Sequence, residues 1–160
     1  MIDFTARIQS KIISRTNLSK LLHQWQFKNQ TIVFTNGCFD ILHQGHVEYL
    51  AKAGSLGQQL IVGVNADESV KRLKGPSRPI NIEYSRAIVL ASLEFVSAVV
   101  VFEEDTPLEL VKEVRPDFIV KGGDYTPETV VGKEYAKEVV IIPLLDGFST
   151  TKTIQSIATH

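Results

Sequence analysis

TIVFTNGCFDILHQGH occupies residues 31–46 and joins an apolar run to a loop that carries two histidines. Its first part, residues 31–34, lacks the alternation of apolar and polar residues that marks a half-exposed strand. A continuous apolar run is typical of a strand covered on both faces, as in a parallel sheet. Apolar residues at helical spacing follow at 47–56. The stretch therefore predicts a buried strand, a loop and a helix that begins near Gln44.

The same alternation of strand and helix continues along the chain. Four further apolar runs lie at residues 60–64, 98–102, 118–120 and 139–142, with helical patterns before the runs at 98–102 and 118–120. This order predicts an α/β fold, a doubly wound five-stranded parallel sheet with helices on both faces. Such sheets bind ligands beyond the carboxyl ends of their strands, where the strand order reverses. Functional residues are expected just after the apolar runs.

An additional helix is predicted before the first strand. Leu18, Leu21, Leu22 and Trp25 recur at helical spacing, and Asn17 is the expected N-cap. We expect this helix to pack on the sheet edge. Residues 1–160 then form one domain, with residues 1–29 as an N-terminal helical segment packed on it.

Composition excludes several classes of protein. The 160 residues are 44% hydrophobic and 22% charged, which is ordinary globular usage. The net charge of −1 gives no general attraction to nucleic acid or anionic lipid, and no run approaches the roughly 18 apolar residues of a membrane helix. The first seven residues lack the apolar core of a signal peptide, so a cytoplasmic location is expected. A single cysteine, Cys38, excludes an internal disulfide and most thiolate metal sites.

The loop after the first strand carries the clearest chemistry. His43 and His46 lie three residues apart at a helix start, where backbone N–H groups and the helix dipole favour anions. Gly45 removes a Cβ that would hold a phosphate away from the backbone. Together they predict a cradle for a polyphosphate, although a capping histidine beside a buried one is the structural alternative. Asp40 could order the loop or help to hold Mg²⁺ through water.

A basic segment follows the second strand. Four cations, Lys71, Arg72, Lys74 and Arg78, fall within eight residues, and a glycine and two prolines predict a loop. A mobile basic loop beside a phosphate cradle can close over substrate and neutralise charge. The alternative is a solvated basic surface.

Three other strand ends carry candidate residues. Asp67 follows the second strand and can meet substrate hydroxyls or cap a helix. The paired glycines of 121–125, KGGDY, let the backbone approach a flat ligand, unless they only form a turn. Residues 149–151, STT, can cap the last helix or hold phosphate at its start.

Residues 35–46 resemble the signature of the cytidylyltransferase-like nucleotidyltransferase superfamily. Its members share a Rossmann-like fold and join a nucleotide to a phosphorylated small molecule, releasing pyrophosphate. Five blocks are similar to the adenylyltransferases that activate D-glycero-β-D-manno-heptose 1-phosphate for lipopolysaccharide core synthesis. They are NGCFD at 36–40, VGVNADESV at 62–70, LKGPSRPI at 73–80, FEEDTP at 102–107 and KGGDY at 121–125.

Together the resemblance and the residue patterns assign candidate roles. Catalysis is assigned to His43, His46 and Lys74. Nucleotide binding is assigned to Thr35, Asn36, Gly37, Cys38, Phe39, Gly45, Arg86, Lys121, Gly122, Gly123, Asp124, Ser149, Thr150 and Thr151. Substrate binding is assigned to Asp40, Asp67, Lys71 and Arg78. Cys38 is expected to be small and buried rather than nucleophilic. No protein metal site is expected, and Mg²⁺ should arrive with ATP.

The implied reaction is direct in-line displacement at the α-phosphorus of ATP by a sugar 1-phosphate. Two alternatives stay open: a related enzyme with another base or acceptor, such as glycerol 3-phosphate with CTP, and a catalytically silent nucleotide-binding module. The resemblance also implies a homodimer and a separate heptose kinase upstream. Nucleic acid and membrane are not expected as partners. A Gly-x-Gly-x-x-Gly dehydrogenase motif and a P-loop motif are both absent from the sequence.

Overall fold

The computed structural model describes residues 1–123, 125–144, 147 and 149–158. The strands are β1 Ile32–Gly37, β2 Gln59–Asn65, β3 Ala98–Phe102, β4 Phe118–Gly122 and β5 Glu138–Ile142. The helices are α1 Phe4–Gln9, α2 Arg15–Phe27, α3 Gln44–Gly54, α4 Asp67–Lys74, α5 Glu83–Ala91, α6 Leu108–Val114 and α7 Thr150–Ala158, with short 3₁₀ turns at Pro127–Thr129 and Lys133–Tyr135.

The five strands form one parallel sheet in the order β3-β2-β1-β4-β5. The chain runs outward from β1 through β2 to β3, and then returns to the other side of β1 with β4 and β5. The order therefore reverses at β1, as in Rossmann-like folds. The predicted fold class is confirmed, and each predicted run falls within or overlaps a strand.

Two apolar clusters cover the two faces of the sheet. One contains Leu50 and Ala53 of α3 with Leu90 of α5, and the other contains Leu18 of α2 with Leu110 of α6. Each cluster includes fully buried strand residues. Burial on both faces explains why the strands are continuously apolar.

Two details of the N-terminal segment differ from the sequence prediction. Helix α2 is capped at Ser14, and Asn17 lies inside its first turn with its N–H donating to the Ser14 carbonyl at 2.9 Å. The main chain at Ile12 bridges Val99 of β3, which holds the preceding chain extended and lets the helix begin directly afterwards. The helix also packs into a face cluster, with Trp25 beside sheet residues, rather than on the sheet edge.

The central seam of the sheet is short. The β1–β2 ladder runs from Ile32–Gln59 to Gly37–Val64, whereas the β1–β4 ladder consists of Val33–Phe118 and Phe34–Ile119. The carboxyl-terminal halves of β1 and β4 therefore part, and a cleft opens between them.

The basic segment differs from its prediction as a loop. Lys71, Arg72 and Lys74 lie in the last turn of α4, and Gly75 ends that helix with φ +96°. Cations at a helix C-terminus complement the helix dipole, which favours helix over loop here. Of the four cations, Arg78 lies in the loop.

Candidate functional site

The cleft lies above the split between β1 and β4 and has a volume of about 210 Å³. Eleven of its lining residues were predicted as site residues: Asn36, Gly37, Cys38, Phe39, Asp40, His46, Lys74, Arg78, Lys121, Gly122 and Thr150, which lies in the first turn of α7. The strand ends, the start of α3 and the end of α4 thus converge on one space. This convergence follows from the parallel sheet, since carboxyl ends of parallel strands share one edge.

The two histidines stack at the start of α3. His43 is the N-cap, and its Nδ1 accepts a long hydrogen bond of 3.4 Å from the His46 N–H. The ring centroids are 3.8 Å apart, and Phe39 meets the His46 ring edge-on at 5.4 Å. Burial first, and then the neighbouring His43 and Lys74, lower the pKa of His46 to about 4. His46 is therefore a neutral hydrogen-bonding group at pH 7.

A left-handed residue shapes the loop that leads to the histidines. Phe39 has φ +47°, and its ring lies over Gly37. A Cβ at position 37 would stand 3.0 Å from Phe39 Cε2, so a larger residue there would push the ring away. Cys38 is half-buried and lines the cleft, which corrects the expectation of a buried thiol.

Lys121 joins the two parted strands. Its Nζ donates to Asn36 Oδ1 at 2.5 Å and lies 5.4 Å from the centre of the Tyr125 ring. Burial lowers the pKa of Lys121 to about 8. Beneath it, the Tyr49 hydroxyl donates to the Val120 carbonyl at 2.9 Å.

Thr35 also lies beneath the cleft rather than in it. Its side chain is fully buried, and its hydroxyl is 2.6 Å from that of Tyr49. Because the Tyr49 proton goes to Val120, Thr35 is the donor in this pair. Thr35 therefore supports the cleft floor instead of contacting a ligand.

Two predicted ligand contacts form an ion pair behind the cleft. The Arg86 side chain has no exposed surface; it donates to Asp67 Oδ1 and the Cys38 carbonyl at 2.7 Å each, and to the Asn81 carbonyl at 2.9 Å. Arg86 thus ties the β1 loop to α4 and α5. The structure does not bring Arg86 or Asp67 into the cleft lining.

The remaining predicted residues have varied surroundings. Lys71 is exposed and pairs with Glu68 at 2.6 Å. Gly45 is buried in the first turn of α3. Gly123 has φ +77°, and Asp124 lies outside the described residues.

The start of α7 closes one side of the cleft. Thr150 donates from its hydroxyl to the Ile41 carbonyl at 3.3 Å, which links α7 to the histidine loop. Ser149 precedes the helix and its carbonyl accepts from the Thr153 N–H at 3.0 Å. Thr151 is exposed. Of the three residues, Thr150 lines the cleft.

Sequence reasoning missed three lining residues. Tyr49 lies one helical turn after His46, a spacing that places both on one face of α3. Tyr125 follows the glycine pair and is 50% exposed, whereas Leu144 follows β5 and is 55% exposed. The Tyr49 spacing could have been read from the sequence, but the two exposed apolar side chains carried no such signal.

Within residues 1–123, 125–144, 147 and 149–158, no three His, Cys, Asp or Glu side chains group to hold a metal ion. No helix among these residues is long and apolar enough to cross a bilayer.

Comparisons with known proteins agree with this arrangement. A family model described as Cytidylyltransferase-like matches residues 34–154. Bifunctional protein HldE of Helicobacter hepaticus is 59% identical over 150 residues, which is 94% of this chain and 31% of the relative. Bifunctional protein HldE of Syntrophotalea carbinolica is 55% identical over 161 residues, 98% of this chain and 33% of the relative. This chain thus spans about a third of the length of these curated relatives.

A solved structure is similar over most of the chain. It is the crystal structure of the lipopolysaccharide core biosynthesis protein from Thermoplasma volcanium GSS1, with a TM-score of 0.61 and 30% identity. The match covers 73% of this chain and 99% of that protein.

Proposed function

This chain belongs to the cytidylyltransferase-like family, and we propose that it transfers AMP from ATP to D-glycero-β-D-manno-heptose 1-phosphate, giving ADP-heptose and pyrophosphate. The observation that carries the proposal is the histidine pair at the start of α3: His46 lines the cleft at the switch point of the sheet together with Lys74, and His43 stacks on His46. Neutral imidazoles, N–H groups and a lysine suit a polyphosphate.

The heptose acceptor is supported by the narrower resemblance. The NGCFD and KGGDY blocks are similar to heptose 1-phosphate adenylyltransferases, and the HldE relatives share 55–59% of aligned residues. The similar solved protein is named for lipopolysaccharide core biosynthesis.

The reaction we propose needs no covalent intermediate. An acceptor phosphate oxygen attacks the α-phosphorus of ATP, the new P–O bond forms as the bond to the β-phosphate oxygen breaks, and pyrophosphate leaves. The attacking oxygen is already anionic near pH 7, so no general base is required. Catalysis then consists of positioning and stabilisation of growing charge.

The groups in and beside the cleft each have a part in that stabilisation. His43, His46 and the first N–H groups of α3 bind the nucleotide phosphates, and Lys74 neutralises charge on the transferring group. Lys121 and Thr150 complete the nucleotide side. When bound, Mg²⁺ neutralises charge on the leaving pyrophosphate; it enters with the ATP phosphates, and no described residue is assigned to hold it.

The surroundings of the reaction are also proposals. Use of ATP fits a cytoplasmic location. On the family resemblance, we assign supply of the sugar 1-phosphate to a separate heptose kinase. A homodimer is expected from the family resemblance, and light scattering measures it.

The test is pyrophosphate release with Mg²⁺, using ATP, CTP and GTP against both heptose 1-phosphate anomers and glycerol 3-phosphate. Release with ATP and the β-anomer is expected, and His46→Ala should lower kcat by about 100- to 1000-fold. His23→Ala, an exposed histidine of α2, is the matched control and should match the wild type.

Other outcomes assign the chain differently. Release with CTP and glycerol 3-phosphate would keep the mechanism and replace the substrates. ATP binding without release from any pair would favour a nucleotide-binding module.

A further inference from the structure

Asp40 fastens residues 78–81 to the histidine loop. Its carboxylate is 1% exposed and accepts from Arg78 Nε at 2.7 Å and from the main-chain N–H groups of Ile80 and Asn81 at 2.9 Å. The Asn81 side-chain amide donates back to the Asp40 carbonyl at 2.6 Å. The same loop that presents the histidines therefore fixes the position of Arg78.

Asp40 stays ionised in this arrangement. Burial alone would raise the pKa of its carboxyl, but hydrogen bonds from Asn81, Ile80 and Arg78 outweigh burial and hold that pKa below its usual value. All of its acceptor capacity serves residues 78–81. A direct role for Asp40 in binding substrate or Mg²⁺ does not fit this geometry.

Arg78 keeps an unused donor. Its side chain is 12% exposed and lines the cleft, and its Nη2 is buried without a hydrogen-bond partner among the described residues. Leaving a buried charged donor unpaired is unfavourable, so such an atom points to a ligand.

Two anions must meet for the proposed transfer. The start of α3 suits the nucleotide phosphates, and a second fixed cation is needed for the acceptor. Lys121 is tied to Asn36. Arg78 is a guanidinium held on one edge by a carboxylate, with the other edge free for the two-point contact that phosphate favours.

We propose that Arg78 binds the phosphate of the acceptor and that Asp40 is its positioning residue. This inference rests on the proposed function for the identity of the acceptor. A lysine cannot replace Arg78, because one ammonium group cannot pair with Asp40 and also donate two hydrogen bonds to a phosphate.

The test separates acceptor from nucleotide. Steady-state kinetics with heptose 1-phosphate and ATP are measured for wild type, Arg78→Lys, Arg78→Gln and Asp40→Asn. The KM for the acceptor should rise about tenfold to hundredfold in each variant, and the KM for ATP should change less than about threefold. Arg15→Gln, which removes an arginine paired with Glu104 and Glu113 outside the cleft, should leave both values unchanged.

A second measurement is independent of turnover. Inorganic phosphate is titrated into each protein saturated with ATP and followed by thermal shift. Phosphate should stabilise the wild type and Arg15→Gln, but not Arg78→Gln.

The two proposals fail in different ways. If the wild type releases no pyrophosphate, the proposed function is overturned. The role of Arg78 in binding phosphate is still supported if Arg78→Gln, unlike the wild type, is not stabilised by phosphate. An equal phosphate response in Arg78→Gln and wild type, or none in wild type, overturns the role of Arg78. Equal rises in both KM values, or an Arg78→Lys enzyme like wild type, overturn it as well.

Discussion

Replacing Arg86 by methionine is expected to destabilise the fold rather than to remove a nucleotide contact. The guanidinium is fully buried and donates to the Cys38 and Asn81 carbonyls and to Asp67. Methionine fills much of the same volume and keeps none of these hydrogen bonds. The change therefore isolates the polar role of Arg86 from its packing.

The magnitude follows from the groups left behind. Each of the two carbonyls loses a charged donor, at about 1–2 kcal/mol apiece. Asp67 is 26% exposed, so water can replace its partner, and loss of that contact adds about 0–1 kcal/mol. The expected fall in the free energy of unfolding is about 2–5 kcal/mol, a large share of the roughly 5–15 kcal/mol of a typical domain.

Urea unfolding measures this loss through Trp25. It is the sole tryptophan of the chain and is 8% exposed, so its fluorescence reports global unfolding. Arg15→Met is the matched control. Arg15 is 30% exposed in its ion pairs with Glu104 and Glu113, and its loss should lower stability by less than about 1 kcal/mol.

A wild-type unfolding midpoint in Arg86→Met, combined with lost ATP binding, would refute this reasoning and place Arg86 on the nucleotide. Should the methionine variant fail to fold, Arg86→Lys supplies the same comparison with a smaller loss.

Three further predictions follow from the geometry. The pKa of His46 is about 4 in the fold against 6.5 when unfolded, so the unfolded state binds the extra proton and stability should fall as pH drops from 6.5 to 4. His46→Gln should flatten that slope in unfolding measured across this range. Since the pKa of Lys121 is about 8, ATP affinity measured by calorimetry should weaken as pH rises from 7 to 9, and Lys121→Arg should remove the trend. A Cβ at Gly57 would meet the Thr31 carbonyl oxygen at 2.8 Å, so Gly57→Ala should lower unfolding free energy by about 1–3 kcal/mol and leave kcat unchanged.

Each of these has a contradicting result. An identical pH slope for wild type and His46→Gln would assign the titration elsewhere. If the wild type and Lys121→Arg lose ATP affinity equally as pH rises, the protonation of Lys121 does not contribute to nucleotide binding. If Gly57→Ala unfolds with the same free energy as the wild type, the main chain near Gly57 must shift to accommodate the added Cβ at little cost.

The fold was predictable because its strands are buried on both faces. Continuous apolar runs at 60–64 and 98–102 leave few alternatives to a parallel sheet, but the sequence did not give the strand order, which the structure shows to reverse at β1. Local capping was less predictable. Ser14 replaced Asn17 as the cap because a tertiary bridge at Ile12 fixes the chain before α2.

The site was predictable in location and less so in roles. Sequence identifies a charged residue near a strand end, but not whether its charge is already satisfied. Arg86 and Asp67 neutralise one another behind the loop, and Asp40 binds residues 78–81. These pairings join residues up to 41 positions apart, as in the Asn81–Asp40 hydrogen bond, and depend on the packing of α4 and α5.

The short β1–β4 seam has a consequence for local motion. Because the ladder there ends at Phe34–Ile119, the sheet consists of two unequal leaves, β3-β2-β1 and β4-β5, held together beyond that point by side chains such as Tyr49 and Lys121. A nucleotide bound in the cleft as proposed would contact both leaves and hold them together. Amide hydrogen exchange in β4 and β5 should therefore slow on ATP binding far more than in β2, which is already fully paired along β1.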